Sequence, residues 1–492
     1  MSLVAGAVSE LQDLLGAQFQ VNQAHLKAYY QNATEFQPKE VLGVAKPNSP
    51  EQVRQILEVC SRQSLKVYTF STGMNWGLGS KIPTEGQCVL LDMAGLKQIR
   101  AVSEEYRYAI IEAGVTQKEL SDYLEAKGYN LILPVTGSSP HSSILGNSLE
   151  RGTTFLTHRA QDLRNLEVIL PDGQLVRTGF WETANGEGGL GDELHYSYGN
   201  GPDVKGLFVQ SNLGVVTAGV IELLPKPETI KLFWASVKEA QLPAFLDRCK
   251  QLYRMGGMRN IMHVGNEKRM KITGKGISSD SVWVAMTALQ GPKGLVEWQE
   301  SALTTYLSGL VSTMRFVSSA DDLSEEPVLA RMMDLHKGKP TTIFLQAMYK
   351  SEDSAGHNVD YDIDRGDVGM LCCLPAFPMD GARILKAVEV ANAIAEEHGF
   401  LLATTINPVN DLYAESVINL YFNRSSEADI AKAHHCNSLI HKKLADLGYK
   451  FYRLDVKEMT HGYHNPMSIS VPKLLKGVLD PEARLAAGKY GV

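Results

Sequence analysis

Residues 68 to 80, with the sequence YTFSTGMNWGLGS, have the composition of an anion-binding loop. The preceding β-branched and aromatic residues, 66 to 70, predict a short strand that ends where the small residues begin. Gly73, Gly77 and Gly79 allow tight turns whose successive backbone N–H groups stay uncovered and form a concavity of positive partial charge. A diphosphate could approach such a backbone closely. The same residues would also suit an ordinary glycine-rich turn.

Other residues with chemical potential form no recognisable catalytic or metal-binding pattern. The six cysteines contain no C-x-x-C, and the adjacent Cys372 and Cys373 would face opposite sides of a strand. One of them could therefore point into a pocket, although packing in a core would explain both. The histidines His434, His435, His441, His461 and His464 lack the HExxH arrangement of zinc hydrolases. There is no P-loop and no G-x-S-x-G elbow.

Two further motifs match only in form. Residues 186 to 191 fit GxGxxG, but no strand precedes them and no helix follows, so the dinucleotide-fold context is missing. Residues 360 to 366 are rich in aspartate, yet the glycine falls one place late for a calcium loop and Leu371 stands where a bidentate acid is required. We expect residues 360 to 366 to form a solvated acidic loop.

Length and composition narrow the class of protein. A chain of 492 residues can form two to four domains, and 44% hydrophobic residues can supply a large core. The net charge of −7 provides no basic patch for nucleic acid. The N-terminus does not read as a signal peptide, and no stretch reaches the roughly 18 apolar residues of a membrane span. We therefore expect a soluble, cytoplasmic protein with a small-molecule partner, no nucleic acid, no membrane contact and no metal.

Helices and strands around the loop are indicated by local signals. Ser49 and Pro50 predict the start of a helix that continues to residue 62. Further strands are expected at 88–92 and 108–112. Thr116 and Glu119 form a capping box that opens a helix running to residue 128. We call residues 68 to 80 the glycine loop. This loop lies at the end of a strand within helix–strand units, which is a common position for ligands.

The remainder of the chain divides at a pair of prolines. A second loop, 133–152, is followed by a hairpin at 166–178 with a turn at Asp172–Gly173, and by a surface excursion at 179–206. Pro225 and Pro227 mark a boundary after a buried strand. From residue 229 to 449 the pattern indicates an α+β domain, with strands expected at 281–288, 342–349 and 370–377. A final helix is expected to stop at Asp480.

Taken together, these motifs resemble the vanillyl-alcohol oxidase and p-cresol methylhydroxylase family of FAD-linked flavoproteins. The resemblance rests on STGMNWGLG, VLLDM, IIEAGVT, ILGNSLERG, LPDGQLVRTG, LFVQSNLGVVT, GYKFYR and LDPEARLAAGKYG, in this order along nearly the whole chain. It implies an α+β fold with a two-part FAD-binding domain, residues 1–228 and 450–492, and an α+β cap, residues 229–449, that covers the flavin. The implied cofactor is FAD.

The resemblance also implies roles for individual residues. The expected FAD-binding residues are Ser71, Thr72, Gly73, Met74, Asn75, Trp76, Gly77, Gly137, Ser138, Ser142, Gly146, Asn147, Glu150, Arg151, Gly152, Gly214, Val215, Val216, Thr217 and Arg453. Tyr452 and Arg453 match the pair that binds a phenol oxygen as phenolate, where a cation and a phenolic donor stabilise charge as hydride leaves for flavin N5. Arg453 could alternatively pair with an acid such as Asp455.

This sequence also departs from the family pattern. Met370 stands where many members carry the histidine joined to FAD, so noncovalent FAD is expected, with Cys372 or Cys373 as an alternative point of attachment. Leu78 replaces the second phenol-binding tyrosine, and an expected acid is absent from residues 134–139. Leu78, Met370 and Cys372 are expected to contact the substrate. Gly137 lies near the position that controls access of oxygen.

The function implied is hydride transfer from a small organic substrate, either phenol-like or a benzylic or allylic alcohol, to FAD. A non-phenolic alcohol would need a base, and the candidates are His461, His464, Asp455, Glu415 and Tyr413. One alternative is a flavin oxidase that tailors a non-phenolic specialised metabolite, and another is a flavin-fold binding protein without redox turnover. The electron acceptor would be molecular oxygen or another compound, and the resemblance suggests a homodimer.

Overall fold

The computed structural model describes residues 2–182, 192–272, 283–345, 362–460 and 469–492. The first part of the chain contains two main sheets. Its helices are α1 (Ser2–Leu15), α2 (Gln23–Tyr30), α3 (Pro50–Arg62), α4 (Gln117–Ala126) and α5 (Ile144–Leu149). Its strands are β1 (Phe19–Gln20), β2 (Val41–Ala45), β3 (Lys66–Phe70), β4 (Cys88–Asp92), β5 (Ile99–Ser103), β6 (Tyr108–Glu112), β7 (Leu131–Ile132), β8 (Leu163–Ile169), β9 (Leu175–Arg177), β10 (Val215–Glu222) and β11 (Leu224–Pro225).

The first sheet carries the glycine loop. Its strand order is β1-β2-β4-β3, and β3 and β2 both run parallel to β4. Helix α3 begins as predicted, because the Ser49 side chain accepts from the Gln52 N–H group and Pro50 occupies the first turn. Its apolar face, which includes Val53, Ile56 and Leu57, is buried against the sheet. The loop leaves β3 at the carboxyl end of a parallel strand.

The second sheet is antiparallel, with the order β5-β6-β10-β8-β9. The predicted capping box of α4 is confirmed, since Thr116 and Glu119 each bond the other's backbone or side chain. Strands β8 and β9 pair as predicted across the turn at Asp172–Gly173. Strand β8 begins at Leu163, three residues earlier than expected. Its first residues extend the strand because they also pair with β10, where Leu163 lies opposite Ile221.

An eight-stranded sheet forms the rest of the chain's core, with the order β15-β12-β14-β13-β17-β18-β16-β19. Its strands are β12 (Thr229–Val237), β13 (His263–Asn266), β14 (Trp283–Gly291), β15 (Thr313–Ser318), β16 (Val368–Pro378), β17 (Leu402–Pro408), β18 (Tyr413–Asn423) and β19 (Lys450–Arg453). The helices here are α6 (Leu242–Arg254), α7 (Glu267–Ile272), α8 (Lys293–Leu307), α9 (Pro327–His336), α10 (Gly381–Glu397), α11 (Glu427–Asp446) and α12 (Ser470–Leu479). We call this eight-stranded sheet the cap sheet.

Helices α6, α8, α10 and α11 cover one face of the cap sheet, and the other face packs against the first part of the chain and against α7 and α9. Phe245, Trp283 and Ile418 belong to the core on the helix-covered side. After β19 the chain returns to the first sheet, where the Val67 N–H group bonds the Arg484 carbonyl at 2.8 Å. Strand β19 is therefore an edge strand of the cap sheet. The division into three segments at residues 228 and 449 remains a prediction.

Several sequence expectations need correction. Residues 342–345 form a turn rather than the start of a strand, and the rest of the expected strand lies outside the described residues. The prediction of a solvated loop at residues 360 to 366 is wrong for Asp364, which is buried. Its carboxylate accepts hydrogen bonds from the Ala33 N–H group and the Ser80 hydroxyl, both at 2.8 Å, and these bonds replace contact with water. The GxGxxG match at 186–191 also lies outside the described residues. Among the described helices, none has the length and apolar character needed to cross a bilayer.

Candidate active site

A cavity of about 440 Å³ lies between the glycine loop and the face of the cap sheet that is opposite α6, α8, α10 and α11. Loop residues 71–76 form one wall, and side chains from β13, β16, β17, β18 and β19 form another. This volume is in the range of small-molecule and cofactor sites. The cavity therefore joins the two parts of the chain in one candidate site.

The glycine loop offers unused hydrogen-bond donors to this cavity. The backbone N–H groups of residues 72 to 77 have no acceptor among the described residues. Buried backbone donors are normally paired, so a run of free ones at a cavity wall indicates a bound acceptor. Gly73 and Gly77 adopt φ angles of +71° and +75°, which gives the loop its tight turns.

The second loop packs directly against the first. The Ser143 N–H group donates to the Thr72 hydroxyl at 3.1 Å, and a Cβ atom on Gly146 would lie 2.1 Å from Ser71 Oγ. Only glycine therefore allows this approach at position 146. The Asn147 side-chain oxygen is buried without a partner among the described residues, as is the Trp76 indole N–H. These polar atoms indicate that a ligand completes the wall.

Arg453 connects the cap sheet to the glycine loop. Its guanidinium donates through Nη2 to Asn75 Oδ1, while its buried Nε has no partner among the described residues. The alternative pairing with Asp455 is not observed, and that buried carboxylate instead accepts from the N–H groups of Lys457 and Glu458. Burial raises the pKa of Asp455 to about 7. Arg453 thus keeps donor capacity for the cavity.

Glu150 adds a fixed negative charge near Arg453. Burial alone would raise the pKa of Glu150, but the positive charges of Lys489 and Arg453 and the hydrogen bonds from Lys489 and Tyr490 hold it below its usual value. Lys489 Nζ lies 2.6 Å from Glu150 Oε1. The carboxylate therefore stays ionised and helps to fix the two cations.

Tyr452 lines the cavity with its phenol ring. Its pKa is raised well above 10, first by burial and then by the charge of Glu415, although Arg453 and a hydrogen bond with Thr153 oppose the rise. The Tyr452 carbonyl accepts from Gln210 Nε2 at 2.6 Å, which fixes the backbone of β19. Tyr452 is therefore a neutral hydroxyl group presented to a ligand.

Polar side chains alternate along β18 on the cavity face. Asn419 accepts from the Cys372 thiol at 3.1 Å and donates to the Tyr421 hydroxyl at 3.2 Å. Arg269 Nη1 donates to the same Tyr421 oxygen at 3.2 Å. Burial raises the pKa of the Cys372 thiol to about 12, against the opposing charges of Arg453 and Arg269. The thiol is therefore protonated and acts as a donor, not as a nucleophile.

A neutral histidine forms the far side of the cavity. His263 Nδ1 lies 2.7 Å from Asn407 Oδ1, and its ring lies 4.6 Å from that of Phe155. Burial lowers the pKa of His263 to about 4, so the ring is neutral near pH 7. Since the amide oxygen only accepts, the proton of His263 is on Nδ1. Phe155 and Phe344 add apolar surface that excludes water.

The structure brings most of the sequence-predicted residues to this cavity. Those that line it are Ser71, Thr72, Gly73, Met74, Asn75, Trp76, Leu78, Gly137, Ser138, Ser142, Gly146, Asn147, Glu150, Gly214, Val216, Met370, Cys372, Tyr452 and Arg453. Gly77, Arg151, Gly152, Val215 and Thr217 adjoin these residues in the chain without lining the cavity. Tyr413 does not line the cavity, and His461 and His464 lie outside the described residues.

Several cavity residues were not anticipated from the sequence. Thr153, His263, Arg269, Asn407, Asn419 and Tyr421 all line the cavity. The sequence of β18, YAESVINLYFN, does indicate a cavity wall. Glu415, Asn419 and Tyr421 are separated by even numbers of positions and so lie on one face of the strand, whereas the apolar Ile418 and Leu420 lie on the other. Polar residues on one face of an otherwise buried strand indicate a lined cavity. Arg269 and His263 had no comparable local signal.

Comparisons with known proteins find that this chain is similar to flavoproteins. Residues 41–179 match the family described as the FAD binding domain. The chain is 27% identical to 1'-carboxy-chondrochloren decarboxylase of Chondromyces crocatus, over 98% of this chain and 96% of the relative. It is 23% identical to the flavoprotein subunit of 4-cresol dehydrogenase (hydroxylating) of Pseudomonas putida, over 90% of this chain and 86% of the relative.

Two solved structures share the fold over the full chain. The structure of p-cresol methylhydroxylase with substrate bound superposes with a TM-score of 0.89 at 20% identity, covering 100% of this chain and 97% of the other. The 4-ethylphenol oxidase of Gulosibacter chungangensis, in its isoeugenol complex, gives a TM-score of 0.88 with the same identity and coverage. The predicted α+β fold with its FAD-binding unit is thereby confirmed.

The cofactor is FAD, and the residues present fit it. The unpaired N–H groups of the glycine loop can bind the diphosphate, and the orphaned Asn147 and Trp76 atoms lie on the same cavity wall. The absence of a side chain at Gly146 leaves room for the Ser71 hydroxyl at the junction of the two loops. Ser138 and Ser142 add hydroxyl groups, which lie 2.9 Å apart.

Proposed function

We propose that this chain, which belongs to the vanillyl-alcohol oxidase and p-cresol methylhydroxylase family of FAD-dependent oxidoreductases, oxidises a small phenolic substrate at the carbon attached to the ring. The observation that carries the proposal is the pair Tyr452 and Arg453, which lines the cavity immediately beside the glycine loop. By their names, the similar 4-cresol dehydrogenase and 4-ethylphenol oxidase act on para-alkylphenols.

In this proposal the substrate hydroxyl lies between Tyr452 and Arg453. Arg453 cannot lose its proton, so it stabilises negative charge on the phenol oxygen as electrons leave the adjacent carbon. Asn75 and the charge of Glu150 hold the guanidinium in position before the substrate arrives. FAD, when bound, supplies the acceptor for the hydride, which no side chain can provide.

Apolar residues keep water away from the reacting carbon. Phe155, Phe344, Met286, Met370 and Leu374 line the cavity. Leu78 stands where the family resemblance places a second phenol-binding tyrosine, so the phenol oxygen receives fewer donors here. We therefore expect weaker phenol binding than a site with two tyrosines would give, rather than loss of the reaction.

The experiment that tests the proposal is anaerobic reduction of the FAD-loaded protein. We expect 4-ethylphenol to bleach the flavin absorbance, whereas benzyl alcohol, which has no phenolic hydroxyl, leaves it unchanged. Arg453→Met should slow reduction by about 10²–10³-fold, the usual effect of removing one charge-stabilising donor. Arg331→Met, a matched change at an exposed arginine on α9, is the control. Reduction by benzyl alcohol alone would refute the phenolic assignment.

We also propose that FAD is held without a covalent bond. Met370 cannot form the usual histidyl link, and the Cys372 thiol is buried, protonated and bonded to Asn419. Acid precipitation of the protein should therefore release the yellow colour into the supernatant. Colour that stays with the pellet would contradict the proposal, and loss of that colour in Cys372→Ala would locate the bond.

A second candidate is the oxidative loss of CO₂ from a phenolic acid. Arg269 places a second guanidinium at the cavity, beside Tyr421, where it could orient a carboxylate. The relative that covers 98% of this chain is named as a decarboxylase. Parallel incubations with 4-ethylphenol and 4-hydroxymandelate distinguish the two, because only the second candidate predicts CO₂ release and preference for the acid.

A further inference from the structure

We infer that Asn407 and Thr405 bind a neutral oxygen acceptor, such as a carbonyl group, on the side chain of the phenolic substrate. This inference rests on the phenol oxidation proposed above, and it narrows the substrate class to para-substituted phenols whose side chain carries an oxygen several bonds from the ring. Both residues lie on β17, away from the Tyr452–Arg453 pair on β19. They therefore determine specificity and take no part in the chemistry.

Strand β17 presents two polar side chains to the cavity. Alternate residues of a strand share a face, so Thr405 and Asn407 lie on one side of β17. Ile406 lies on the other side, in the core that α6, α8, α10 and α11 cover. Thr405 and Asn407 both line the cavity. Asn407 is only 3% exposed, so its polar atoms need partners other than bulk water.

His263 fixes which end of the Asn407 amide faces the cavity. Strand β13 pairs with β17 through Val264 and Gly265, which places His263 beside Asn407. The Asn407 Oδ1 atom accepts from His263 Nδ1 at 2.7 Å, which leaves the amide NH₂ group for the cavity. Neither this NH₂ group nor the Thr405 hydroxyl makes a hydrogen bond within the part of the chain that the structure describes. Two donors are therefore available to a bound molecule.

The charges around Asn407 favour a neutral acceptor over a carboxylate. His263 is neutral near pH 7, because burial lowers its pKa to about 4. On the other neighbouring strand, Glu415 lies opposite Asn407 in the register of β17 and β18. The guanidinium groups of Arg453 and Arg269, which also line the cavity, donate to other side chains. An anion beside Asn407 would thus be buried without a countercharge, which is costly.

The position of β17 sets the length of the substrate. In the sheet order β17-β18-β16-β19, three inter-strand spacings separate β17 from the strand of Arg453, about 14 Å in total. A phenol whose oxygen is held by Arg453 reaches Asn407 only with a side chain that extends across β16 and β18. The two-carbon side chain of 4-ethylphenol is too short, whereas a longer side chain that carries a carbonyl group contacts both ends of the site.

The test uses the FAD-loaded protein and two phenols of matched shape. 4-(4-Hydroxyphenyl)butan-2-one carries a carbonyl oxygen where 4-(3-methylbutyl)phenol carries a methyl group. Anaerobic stopped-flow reduction of the flavin gives the concentration of each phenol that half-saturates the rate. The ratio of these concentrations, alkylphenol over ketone, is compared between proteins, so the different hydrophobicity of the two phenols cancels.

Replacing Asn407 should remove the preference for the ketone. We expect the wild-type ratio to exceed that of Asn407→Leu by about tenfold or more, because the alkyl side chain leaves the buried NH₂ group of the wild-type protein unpaired. Asn407→Asp, measured at pH 8, keeps the shape and the acceptor for His263 but has no NH₂ group to donate, and it should lose the preference as well.

Two further variants complete the comparison. Thr405→Val removes the second donor and should lower the ratio by about threefold or more. Asn423→Leu makes the same change as Asn407→Leu at an exposed position at the end of β18, and this control should keep the wild-type ratio. The FAD absorbance spectrum of each variant shows whether the site has folded.

The outcomes separate this inference from the proposed function. A wild-type ratio in Asn407→Leu or Asn407→Asp would overturn the inference. Half-saturation of the wild-type protein at a lower concentration of 3-(4-hydroxyphenyl)propanoate than of the ketone would also overturn it, because that result would indicate an anion site. Reduction by 4-ethylphenol but by neither longer phenol would refute the inference alone. Failure of all four phenols to reduce the flavin would refute both proposals.

Discussion

Gly77→Ala should destabilise the junction between the glycine loop and the cap sheet. Gly77 has a φ of +75°, and a Cβ atom there would lie 2.2 Å from Cys372 Sγ and 3.1 Å from Met370 Cε. The backbone conformation costs an alanine about 1 kcal/mol, and overpacking against buried side chains costs about 1–3 kcal/mol more. The free energy of unfolding in urea, followed by tryptophan fluorescence, should therefore fall by about 2–4 kcal/mol.

The two contributions can be measured separately in this chain. Gly309 has a φ of +76°, and a Cβ atom there would have no neighbour within 4 Å among the described residues, so Gly309→Ala reports the backbone cost alone. Adding Cys372→Ala to Gly77→Ala removes the closest clash, and the combined loss should be smaller than the sum of the two single losses. The Cys372 N–H group also bonds the Gly77 carbonyl at 3.1 Å, so FAD affinity should fall with stability. Equal losses for Gly77→Ala and Gly309→Ala would refute the reasoning.

Three further predictions concern buried groups. Burial raises the pKa of Asp364 from 3.8 to about 7, so its ionisation removes stability as pH rises from about 4 to 7. Asp364→Asn should reduce this loss, which amounts to about 3 kcal/mol between urea unfolding at pH 4.5 and at pH 7.5. A larger pH dependence in the variant would contradict this. Lys476→Met should cost about 3–5 kcal/mol by leaving buried Asp480, 2.7 Å away, unpaired, and Lys473→Met, at an exposed position of the same helix, is its control. Iodoacetamide should modify Cys372 slowly at pH 8, since burial raises its pKa to about 12; rapid labelling seen by mass spectrometry would argue against the buried thiol.

The parts of the fold that the sequence predicted depend on residues close together in the chain. Ser49 and Pro50 start α3, and Thr116 and Glu119 cap α4, because a cap needs only the first turn of its own helix. The glycine loop was recognisable for the same reason. Its turns depend on its own glycines, and the N–H groups they leave free belong to neighbouring residues.

Residues brought together by tertiary packing could not be predicted in this way. Thr153 and Glu415 are separated by 262 positions, and nothing near either residue indicates the other. Asp364 was expected in solvent because its neighbours in the chain are acidic, yet its partners Ala33 and Ser80 are 331 and 284 positions away. The resemblance to a known family located Tyr452 and Arg453, whereas Arg269 and His263 required the assembled cap sheet.

The position of β19 matters for anyone who wishes to exchange caps between related enzymes. A chimera that transplants residues 229–449 would leave behind the edge strand Lys450–Arg453, which pairs with β16 through Leu374, Pro375 and Ala376. The recipient's residues at positions 452 and 453 would then have to pair with the donor's sheet, and the donor's substrate specificity would not be transferred with its cap. A crossover placed after Arg453 transfers all of the substrate-facing strands together.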